Sequence, residues 1–475
     1  MKNFLLAPIG ILFCIALNAQ KGNFPILYDE VMYTDIRGVI ATSDGQFALT
    51  GLKKTTDYPM GNMYLKKIDV TGALVWEKDF GVPYEDGGNF LMNTADGGIL
   101  ISGHVEYSNE LCDGYVVKTD VDGQIEWKMM IGDWGLDEVC NGGTQMPNGD
   151  IYLTGRVGSL AADIYDVFLC RISKDGTLIF SKKIPFYGSE YGKYICPTQD
   201  GNLLITGYSF NLDDRQEKMM VMKVDPDGNY IWKKDFGFGV HTRARGVCET
   251  ADHNYAVVGG SAKGVYRKDY QQMKILVLDE YGQLVKEVTP LKDAGNGFLF
   301  DIIMQEDGSF MACGAFQKEG EEQGHPCLLF LDKNFNLISY SLGTINKDSW
   351  GYCLVPMGGH DFLVAGMSDE GDEMMSGLVD RFSFQTLGTS TPQLLDNVLV
   401  TPNPFRETTY IRLDAASYDN TLYIYNSSGQ LVRSIHFYDK VLKLDRSTLA
   451  EGIYSFEIID NKKAQLISVG RLVAE

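Results

Sequence analysis

The amino-acid sequence predicts an all-β fold built from a repeated unit, and three observations support this prediction. The chain of 475 residues is longer than one hydrophobic core normally holds, so a modular array is expected. It contains 52 Gly, 14 Pro and 12% aromatic residues, a composition typical of short strands joined by tight turns. The stretch KIDVTGALVWEKDFG at residues 67–81 also returns as KTDVDGQIEWKMMIG at residues 118–132.

A second landmark gives the number of repeats. A strand-like run follows an Asp-Gly turn and ends in glycine, as in DGGILISG at residues 96–103. These landmark glycines are separated by 52 residues, except for one interval of 55, and they are Gly51, Gly103, Gly155, Gly207, Gly259, Gly314 and Gly366. A period of this size is typical of propeller blades, and each copy contains four short strand-like segments. Residues 20–388 are therefore predicted to form a seven-bladed β-propeller.

Each repeat is expected to pack against its neighbours, because a single four-stranded sheet cannot bury both of its faces. Gly123 makes the tight turn between the last two strands of one repeat, and Trp127 follows it by four residues. Trp76, Phe180 and Trp232 occupy the same place in other repeats. We therefore expect these aromatic rings to pack on a neighbouring sheet.

The seventh repeat lacks a convincing fourth strand. The segment PILYDEVMYTD at residues 25–35 resembles the fourth strand of the other repeats and lies at the opposite end of the array. We expect this N-terminal strand to complete the last blade and close the ring, which removes the free sheet edges that invite aggregation.

The N-terminus predicts a secretory signal peptide at residues 1–19. A Lys-bearing start precedes an apolar run, and Ala19 is a suitable cleavage position. The run is short and contains Pro8 and Gly10, whereas a membrane-spanning helix needs about 20 apolar residues. No later segment is long and apolar enough to cross a membrane, so the mature chain is predicted to have no transmembrane segment.

The formal net charge of −21 makes nucleic acid and anionic membrane surfaces poor partners, because both would be repelled. The commoner reason for such acidity is solubility.

Eight cysteines follow the predicted signal peptide, and they show no CxxC or Cys/His spacing typical of a metal site. Most of them lie in apolar runs and are expected in the core. Cys313 and Cys327 flank one hairpin loop and are the best candidates for a disulfide in an exported protein.

A separate unit follows a polar linker at residues 389–397. Residues 398–475 alternate polar and apolar residues over short segments, a pattern that predicts a small antiparallel β-sandwich. The motifs of this unit are a PNP tripeptide, a Ser-Gly-Gln turn and a GIY tripeptide, with the residues Pro402, Asn403, Pro404, Gly429, Gly452 and Tyr454. Their order and spacing resemble the type A C-terminal sorting domain of the type IX secretion system. A carbohydrate-binding or immunoglobulin-like accessory module is the alternative.

This resemblance implies a route and a location. A protein with such a domain is expected to enter the periplasm by its signal peptide and to cross the outer membrane through the type IX secretion machinery. It would become a secreted or outer cell-surface protein. The blade pattern, YEDGGNFLMNTADGGILISGHV followed by DGYVVKTDVDGQIEWKMMIG, also resembles a propeller-repeat family abundant in exported proteins of the Bacteroidetes.

The loops between second and third strands and the connections between blades are expected on one face, which carries the longest and most varied loops. Aromatic side chains there could stack on sugar rings or anchor a protein partner, or could pack within their own loops. The candidates for ligand binding are Tyr58, Tyr107, Trp134, Tyr208, Phe210, Tyr266, Tyr270 and Trp350.

Acidic residues recur where the blades begin, at Asp35, Asp86, Asp137, Glu190 and Asp348. These blade-start carboxylates could attract a cation or a basic ligand at a channel mouth. Their recurrence favours a structural role, the capping of backbone amides, because every blade needs such a turn whereas a binding site seldom needs every blade.

Two of the seven blade starts are not acidic, those at Thr242 and Asn296. The start at Thr242 reads HTRARG at residues 241–246, and its His241, Arg243 and Arg245 could grip a carboxylate or sulfate in a catalytic site, or could form a variant turn. The stretch SDEGDE at residues 368–373 offers oxygen ligands for calcium but lacks the spacing of a known calcium loop. No other cofactor or metal is predicted.

These features predict a binding function. The first hypothesis is a secreted or cell-surface propeller that binds a glycan, protein or matrix ligand through its long-loop face. The second is an extracellular polysaccharide hydrolase or lyase on the same scaffold, and a scaffold role at the cell envelope is the third. Paired carboxylates or the His241 group converging on a pocket would favour the enzyme, whereas a shallow aromatic platform would favour binding.

Overall fold

The structure of the protein, a computed structural model, is all-β. It describes residues 24–28, 33–82, 85–106, 111–132, 135–159, 164–213, 215–262, 270–358, 361–371, 374–383, 398–401, 405–413, 419–425, 431–446, 449–450, 452–460 and 465–474. The predicted signal peptide and the predicted linker lie outside these ranges. The chain divides into two compact units, Met1–Phe382 and Ser383–Glu475. None of the described segments forms a helix long and apolar enough to cross a membrane.

The first unit consists of short strands separated by turns. In chain order they are β1 (Ile26–Tyr28), β2 (Tyr33–Thr34), β3 (Gly38–Ala41), β4 (Phe47–Lys54), β5 (Asn62–Ile68), β6 (Leu74–Asp79), β7 (Glu85–Asn93), β8 (Ile99–Glu106), β9 (Cys112–Thr119), β10 (Ile125–Ile131), β11 (Asp137–Gln145), β12 (Ile151–Ser159), β13 (Ile164–Ile172), β14 (Leu178–Ile184), β15 (Ser189–Pro197), β16 (Leu203–Phe210), β17 (Glu217–Val224), β18 (Tyr230–Phe236), β19 (His241–Glu249), β20 (Tyr255–Ala262), β21 (Tyr270–Leu278), β22 (Leu284–Val288), β23 (Gly295–Met304), β24 (Phe310–Lys318), β25 (His325–Leu331), β26 (Leu337–Leu342), β27 (Ser349–Gly358), β28 (Asp361–Gly371) and β29 (Met374–Ser383).

These strands form consecutive antiparallel sheets that follow the sequence repeats, numbered 1 to 7 by their landmark glycines. In repeats 2 to 6, four successive strands pair in chain order, from β7 through β26, and one parallel pair, Glu217 opposite His241, joins the sheets of repeats 4 and 5. In repeat 1, β2 and β3 both pair with β4, and β5 and β6 complete the sheet. In repeat 7, β27, β28 and β29 pair in order and β1 adds the fourth strand.

The pairing of β1 agrees with one part of the sequence prediction. Ile26 lies opposite Val379, so the segment that begins at Pro25 provides the fourth strand of repeat 7. Tyr33, near the other end of the predicted segment, lies opposite Lys54 of repeat 1 instead. The predicted segment at residues 25–35 therefore does not belong to repeat 7 over its whole length, because its C-terminal end pairs with repeat 1.

Apolar clusters join each sheet to the next. Val116 of repeat 2 and Phe168 of repeat 3 lie in one such cluster, and both are at most 2% exposed. Other clusters join repeats 1 and 2, 3 and 4, 4 and 5, 5 and 6, and 6 and 7. Leu49 of repeat 1 and Leu363 of repeat 7 also share a cluster, so the first and last sheets pack together. Removal of these apolar faces from water is the main favourable term for the fold.

The recurring aromatic residue lies on the turn glycine of the following repeat. A Cβ atom added to Gly123 of repeat 2 would come within 2.7 Å of the Trp76 ring of repeat 1. A Cβ atom added to Gly176 would approach the Trp127 ring equally closely, at 2.7 Å. The prediction that these rings pack on a neighbouring sheet is confirmed. Glycine is needed at this turn for its positive φ and for the close approach of the ring.

Between repeats 5 and 6 the aromatic side chain comes from the turn instead of the strand. Lys286 occupies the position of the Trp, four residues after Gly282. The turn of repeat 6 then carries Phe335 in place of glycine, with a φ of 62°. Phe335 is 5% exposed and stacks on Phe310, with ring centroids 4.3 Å apart, inside the cluster between the two repeats. The contact between repeats 5 and 6 therefore also contains an aromatic ring, but the turn supplies it instead of the strand.

The candidate disulfide between Cys313 and Cys327 does not form, since both cysteines are free. Cys313 lies opposite Leu328, and Cys327 lies opposite Gly314, on the paired strands β24 and β25. Neighbouring residues of a strand point to opposite faces of the sheet, so the two thiols lie on opposite faces and cannot bond.

The second unit contains two antiparallel sheets that share one apolar core. Its strands are β30 (Val398–Thr401), β31 (Thr408–Leu413), β32 (Asn420–Tyr425), β33 (Leu431–Phe437), β34 (Val441–Asp445), β35 (Gly452–Asp460) and β36 (Gln465–Ala474). One sheet has the order β30-β31-β34, and the other has the order β33-β32-β35-β36. Among the sorting-domain motif residues, Gly452 begins β35 and the Tyr454 hydroxyl donates to the Ala450 carbonyl at 2.9 Å. Pro402, Asn403, Pro404 and Gly429 lie outside the described residues.

Replacement of the turn glycine tests the contact between repeats. The Gly123→Ala substitution adds backbone strain at a φ of 74° and places a methyl group against Trp76. We expect a loss of about 2–3 kcal/mol in the free energy of unfolding, measured by urea denaturation.

The control is Gly97→Ala in the same repeat, where φ is 87° and nothing lies within 4 Å of the added methyl group. This substitution should cost only about 1 kcal/mol, because it adds backbone strain alone. Equal losses for the two variants, or an undiminished loss for Gly123→Ala when Trp76 is also replaced by Ala, would contradict the contact.

Candidate functional site

One residue in each repeat interrupts the pairing between the first and second strands. On β7 the register shifts between Gly88 and Phe90, which leaves Asn89 as a bulge. Equivalent shifts occur in the first strands of repeats 3 to 7, and in repeat 1 the corresponding residue lies between β2 and β3. The residues at these places, called the bulge ring below, are Arg37, Asn89, Asn141, Lys193, Arg245, Phe300 and Tyr352. A bulge redirects a side chain out of the regular alternation of a strand.

All seven bulge-ring residues line one cavity of about 1000 Å³. From the ring the cavity extends along the first strands to Ala95 and Pro147, which are exposed residues of the turns between first and second strands. These turns lie on the face opposite the long loops, because successive connections of an up-and-down sheet alternate between its two ends. The main cavity therefore reaches the short-turn face rather than the predicted long-loop face.

The bulge ring has a polar part and an aromatic part. Repeats 1 to 5 contribute three cationic residues and two asparagines, and repeats 6 and 7 contribute Phe300 and Tyr352. The centroids of these two aromatic rings are 4.8 Å apart, with the rings at 78° to each other. The cavity thus offers hydrogen-bond donors on one side and flat apolar surface on the other.

Hydrogen bonds order the polar part of the ring. The Arg37 guanidinium donates to the Asn89 side-chain oxygen at 2.7 Å and contacts Asp35 Oδ2 at 2.8 Å. The Asn89 side-chain nitrogen donates to the Cys140 carbonyl at 3.0 Å. The Asn141 side-chain nitrogen likewise donates to the Gly192 carbonyl of the next repeat, at 2.9 Å. These bonds join neighbouring repeats at the cavity wall and hold the side chains in place.

Lys193 lies in a positively charged part of the cavity. Burial lowers the pKa of its ammonium group well below the usual value, and the nearby charges of four arginines lower it further, those of Arg245, Arg156, Arg243 and Arg37. Within the part of the chain that the structure describes, no carboxylate or hydrogen-bond acceptor contacts the Lys193 ammonium. Its Nζ atom lies 6.0 Å from the centroid of the Tyr208 ring.

Two carboxylates also line the cavity, Asp35 and Asp301. Asp35 is 2% exposed and bound to Arg37, so it offsets that charge. Asp301 accepts backbone N–H groups from Ile302 at 2.9 Å and from Leu354 at 3.3 Å. Burial raises the pKa of Asp301 to about 6.

Four of the five blade-start carboxylates accept backbone N–H groups. Asp86 accepts from Met63 at 2.6 Å and from Val82 at 3.0 Å, and both donors belong to repeat 1 or its connection. Asp35, Asp137 and Asp348 accept one backbone N–H each, at 2.9, 3.2 and 2.7 Å. Glu190 pairs with Lys233 at 3.3 Å. This geometry is that of amide capping between adjacent strands, and of the five only Asp35 lines the cavity.

The predicted loop aromatics do not form one platform in the described residues. Tyr58 is 37% exposed, and Phe210 is half-buried. Tyr208 stacks on Tyr191 with ring centroids 4.5 Å apart, and the Arg243 guanidinium lies 4.8 Å from the Tyr208 centroid. Tyr107, Trp134 and Tyr266 lie outside the described residues, as does the side chain of Tyr270.

Trp350, one of the candidates for ligand binding, is buried. It is 6% exposed and belongs to the cluster with Phe298, Ala315 and Met367 between repeats 6 and 7. Its position at the start of β27 faces the neighbouring sheet rather than the connection before it. None of the loop aromatics in the described residues lines the cavity.

The HTRARG segment does not act as one cluster. The Arg243 guanidinium forms a two-pronged contact with Glu217, at 2.6 and 2.8 Å, and His241 Nδ1 lies 3.2 Å from the same carboxylate. These contacts link repeats 4 and 5. Arg245 lies on the bulge and faces the cavity, where its guanidinium carbon is 5.9 Å from the centroid of the Phe300 ring.

The calcium hypothesis gains no support from the described residues. Asp369 accepts the Gly371 N–H at 2.9 Å, as in a local turn, and residues 372–373 lie outside the described ranges. No group of three or more His, Cys, Asp or Glu residues among the described positions could hold a metal ion.

Sequence reasoning missed the bulge ring, although a signal was present. Each ring residue precedes its landmark glycine by 14 positions, as 51 − 37 = 14 and 366 − 352 = 14 show. The seven residues are of cationic, amide and aromatic types, so a search for one recurring residue type does not find them. An alignment of the repeats on the landmark glycines would have placed them in one column.

The fold and the cavity define a β-repeat protein with a site where its repeats meet. Its C-terminal segment is a secretion sorting domain: residues 399–469 match the family described as "Secretion system C-terminal sorting domain". This match confirms the resemblance seen in the sequence, and it indicates export through the type IX machinery to the cell surface or to the medium. No curated protein matches the chain.

Several solved structures resemble the chain at low identity. PorZ of Porphyromonas gingivalis, described as a surface component of the type IX secretion system, has a TM-score of 0.44 and 12% identity over 91% of this chain. The chain spans only 58% of that PorZ structure. Hydrazine synthase of Kuenenia stuttgartiensis has a TM-score of 0.47 and 12% identity, over 74% of this chain and 97% of that one. A protein of unknown function from Dyadobacter fermentans has a TM-score of 0.45 and 10% identity, over 76% and 97%. These similarities carry no argument about function.

Removal of the half-buried carboxyl at Asp301 tests the electrostatics of the cavity. Because the pKa of Asp301 is raised from 3.8 to about 6, this group stabilises the fold fully below pH 3.8, and the contribution is lost as pH rises through about 6. We expect Asp301→Asn to gain stability relative to the unmodified protein between pH 4 and 7, by about 1–3 kcal/mol.

Urea denaturation at several pH values measures this difference. The exposed Asp57→Asn substitution is the control and should show no comparable trend. A stability difference for Asp301→Asn that does not change with pH would show that the carboxyl ionises as freely in the folded protein as in the unfolded chain.

Proposed function

We propose that this chain is an exported binding protein, in which a closed seven-bladed β-propeller at residues 20–388 holds an extracellular ligand in its central cavity. The observation that carries the proposal is the bulge ring, to which every repeat contributes one side chain. A cavity of about 1000 Å³ at a place where several elements converge is the usual form of a ligand site.

Closure of the ring is supported by two contacts between the ends of the array. β1 from the N-terminus pairs with β29 of repeat 7. The Ile36 N–H of repeat 1 also donates to the Gly366 carbonyl of repeat 7, at 3.2 Å. In a closed ring the first strand of each sheet faces the axis, so one bulge per sheet would place seven side chains around a single channel.

The sorting domain supports an extracellular site of action. We propose that residues 1–19 act as a signal peptide for entry into the periplasm and that residues 398–475, folded as a small β-sandwich, direct the second export step. The ligand would then be a glycan, protein or matrix component outside the cell.

The cavity is a better candidate for the site than the long-loop face. Among the described loop aromatics, Tyr208 is stacked against Tyr191 and Trp350 is buried, which leaves little of the expected platform. The alternative of a polysaccharide hydrolase or lyase would be favoured by paired carboxylates or by the His241, Arg243 and Arg245 group in a pocket. His241 and Arg243 contact Glu217 instead, and of the two carboxylates that line the cavity Asp35 is bound to Arg37, so we favour binding over catalysis.

Filling the cavity tests the proposal. The full chain is screened against a panel of soluble neutral and acidic polysaccharides and extracellular matrix proteins, and the dissociation constant of each retained ligand is measured. Asn141→Trp at the ring and Thr144→Trp nearer the turns should each weaken binding by about ten-fold or more, because the indole occupies the ligand's space. Thermal melting confirms that each variant folds.

The matched control is Tyr58→Ala on a long loop, which should leave the affinity unchanged. If Tyr58→Ala or Tyr208→Ala abolished binding while both Trp variants bound normally, the site would be the long-loop face and the proposal would be wrong.

A further inference from the structure

The bulge ring is basic within a strongly acidic protein. The chain carries a net charge of −21, yet the ring contains Arg37, Lys193 and Arg245. Asp35 offsets Arg37, and Asp301 is the other carboxylate of the cavity. Three cationic side chains therefore lie in the cavity to which all repeats contribute. A need for solubility explains the net negative charge of the chain but not this cluster of positive charge.

Among the three cations of the bulge ring, Lys193 gives the strongest indication of an anionic ligand. Lys193 is half-buried, and an ammonium drawn partly out of water is costly unless an anion or several acceptors compensate it. In the described residues the groups that act on Lys193 are four arginines, and Arg156 and Arg243 among them are already bound to Asp137 and Glu217. An oxyanion in the cavity would remove the repulsion between these cations and supply the missing acceptor.

We propose that the ligand of the cavity is an acidic saccharide, held through a carboxylate or sulfate group by Lys193 and Arg245 and packed against Phe300 and Tyr352. This inference rests on the proposed function of the cavity and specifies its ligand. The guanidinium of Arg245 suits the paired oxygens of either acid group, and the ammonium of Lys193 acts as a point charge beside it.

The aromatic part of the ring explains why the acid is expected on a sugar. Phe300 and Tyr352 are adjacent ring positions with centroids 4.8 Å apart, next to the cationic positions in ring order. The apolar face of a pyranose packs on such rings, while its hydroxyl groups reach side-chain amides such as those of Asn89 and Asn141. A small inorganic anion would use only the cationic part.

Three probes with one backbone test the inference. The full chain is titrated with a dextran oligosaccharide, its sulfated form and its carboxymethylated form, at equal length. We expect one or both acidic forms to bind about ten-fold or more tightly than the neutral form, with an affinity that falls as salt is raised. The tighter of the two acidic forms identifies the acid group.

Charge-removing variants locate the binding. Lys193→Gln and Arg245→Gln should each weaken binding of the acidic form by about ten-fold, whereas Arg245→Lys should recover part of the loss. The matched control is Lys128→Gln, which makes the same substitution at an exposed residue of β10 and should change the affinity by less than about two-fold.

Proton uptake gives a readout that a purely structural role would not produce. Burial and the arginines lower the pKa of Lys193 in the free protein, and a bound oxyanion should raise that pKa again, so binding should be accompanied by proton uptake at pH values where the free amine is partly deprotonated. Calorimetric titration in two buffers of different ionisation enthalpy should detect uptake in the unmodified protein and a smaller uptake in Lys193→Gln.

The outcomes separate this inference from the proposed function. Equal binding of the neutral and acidic forms, no binding of either acidic form, or a folded Lys193→Gln variant with unchanged affinity would overturn the inference. If the neutral form binds and Asn141→Trp abolishes that binding, the cavity is still the site and only the acidic ligand is wrong. Acidic forms that bind equally well to both Trp variants would contradict both.

Discussion

The packing of one four-stranded sheet on the next is the constraint on which the rest of the structure depends. Each sheet alone leaves an apolar face in water, and the next repeat covers it. The aromatic ring on the turn glycine sets the approach of the two sheets, as Trp76 on Gly123 shows. Where Lys286 replaces the aromatic residue, Phe335 fills the same interface from the turn. The contact is therefore maintained even where its sequence signature is lost.

The candidate site follows from this packing. Once the sheets are held in sequence, the first strand of each contributes the residue at its bulge to one cavity. The scaffold supplies the position, and the residue at that position supplies the chemistry. The residues at these seven positions, from Arg37 to Tyr352, then set the chemistry of the cavity, and some of them also bond to the next repeat, as Asn89 does.

Much of the fold could be predicted from sequence, because the same pattern of packing residues recurs in successive repeats. The landmark glycines, the turn glycine and its aromatic partner could all be recognised in the sequence. Predictions that depended on the direction of a single side chain failed, as for the Cys313 and Cys327 thiols on opposite faces and for the buried Trp350. The bulge ring was missed because it is conserved in position and variable in chemistry, whereas sequence motifs are recognised by residue type.

The most direct test of this account is an experimental structure of the full chain with the sulfated or carboxymethylated oligosaccharide. The account predicts density for the acid group within hydrogen-bond distance of Lys193 Nζ and the Arg245 guanidinium, with a sugar ring against Phe300 or Tyr352. Density for the oligosaccharide on the long-loop face, with the bulge ring left to solvent, would contradict it.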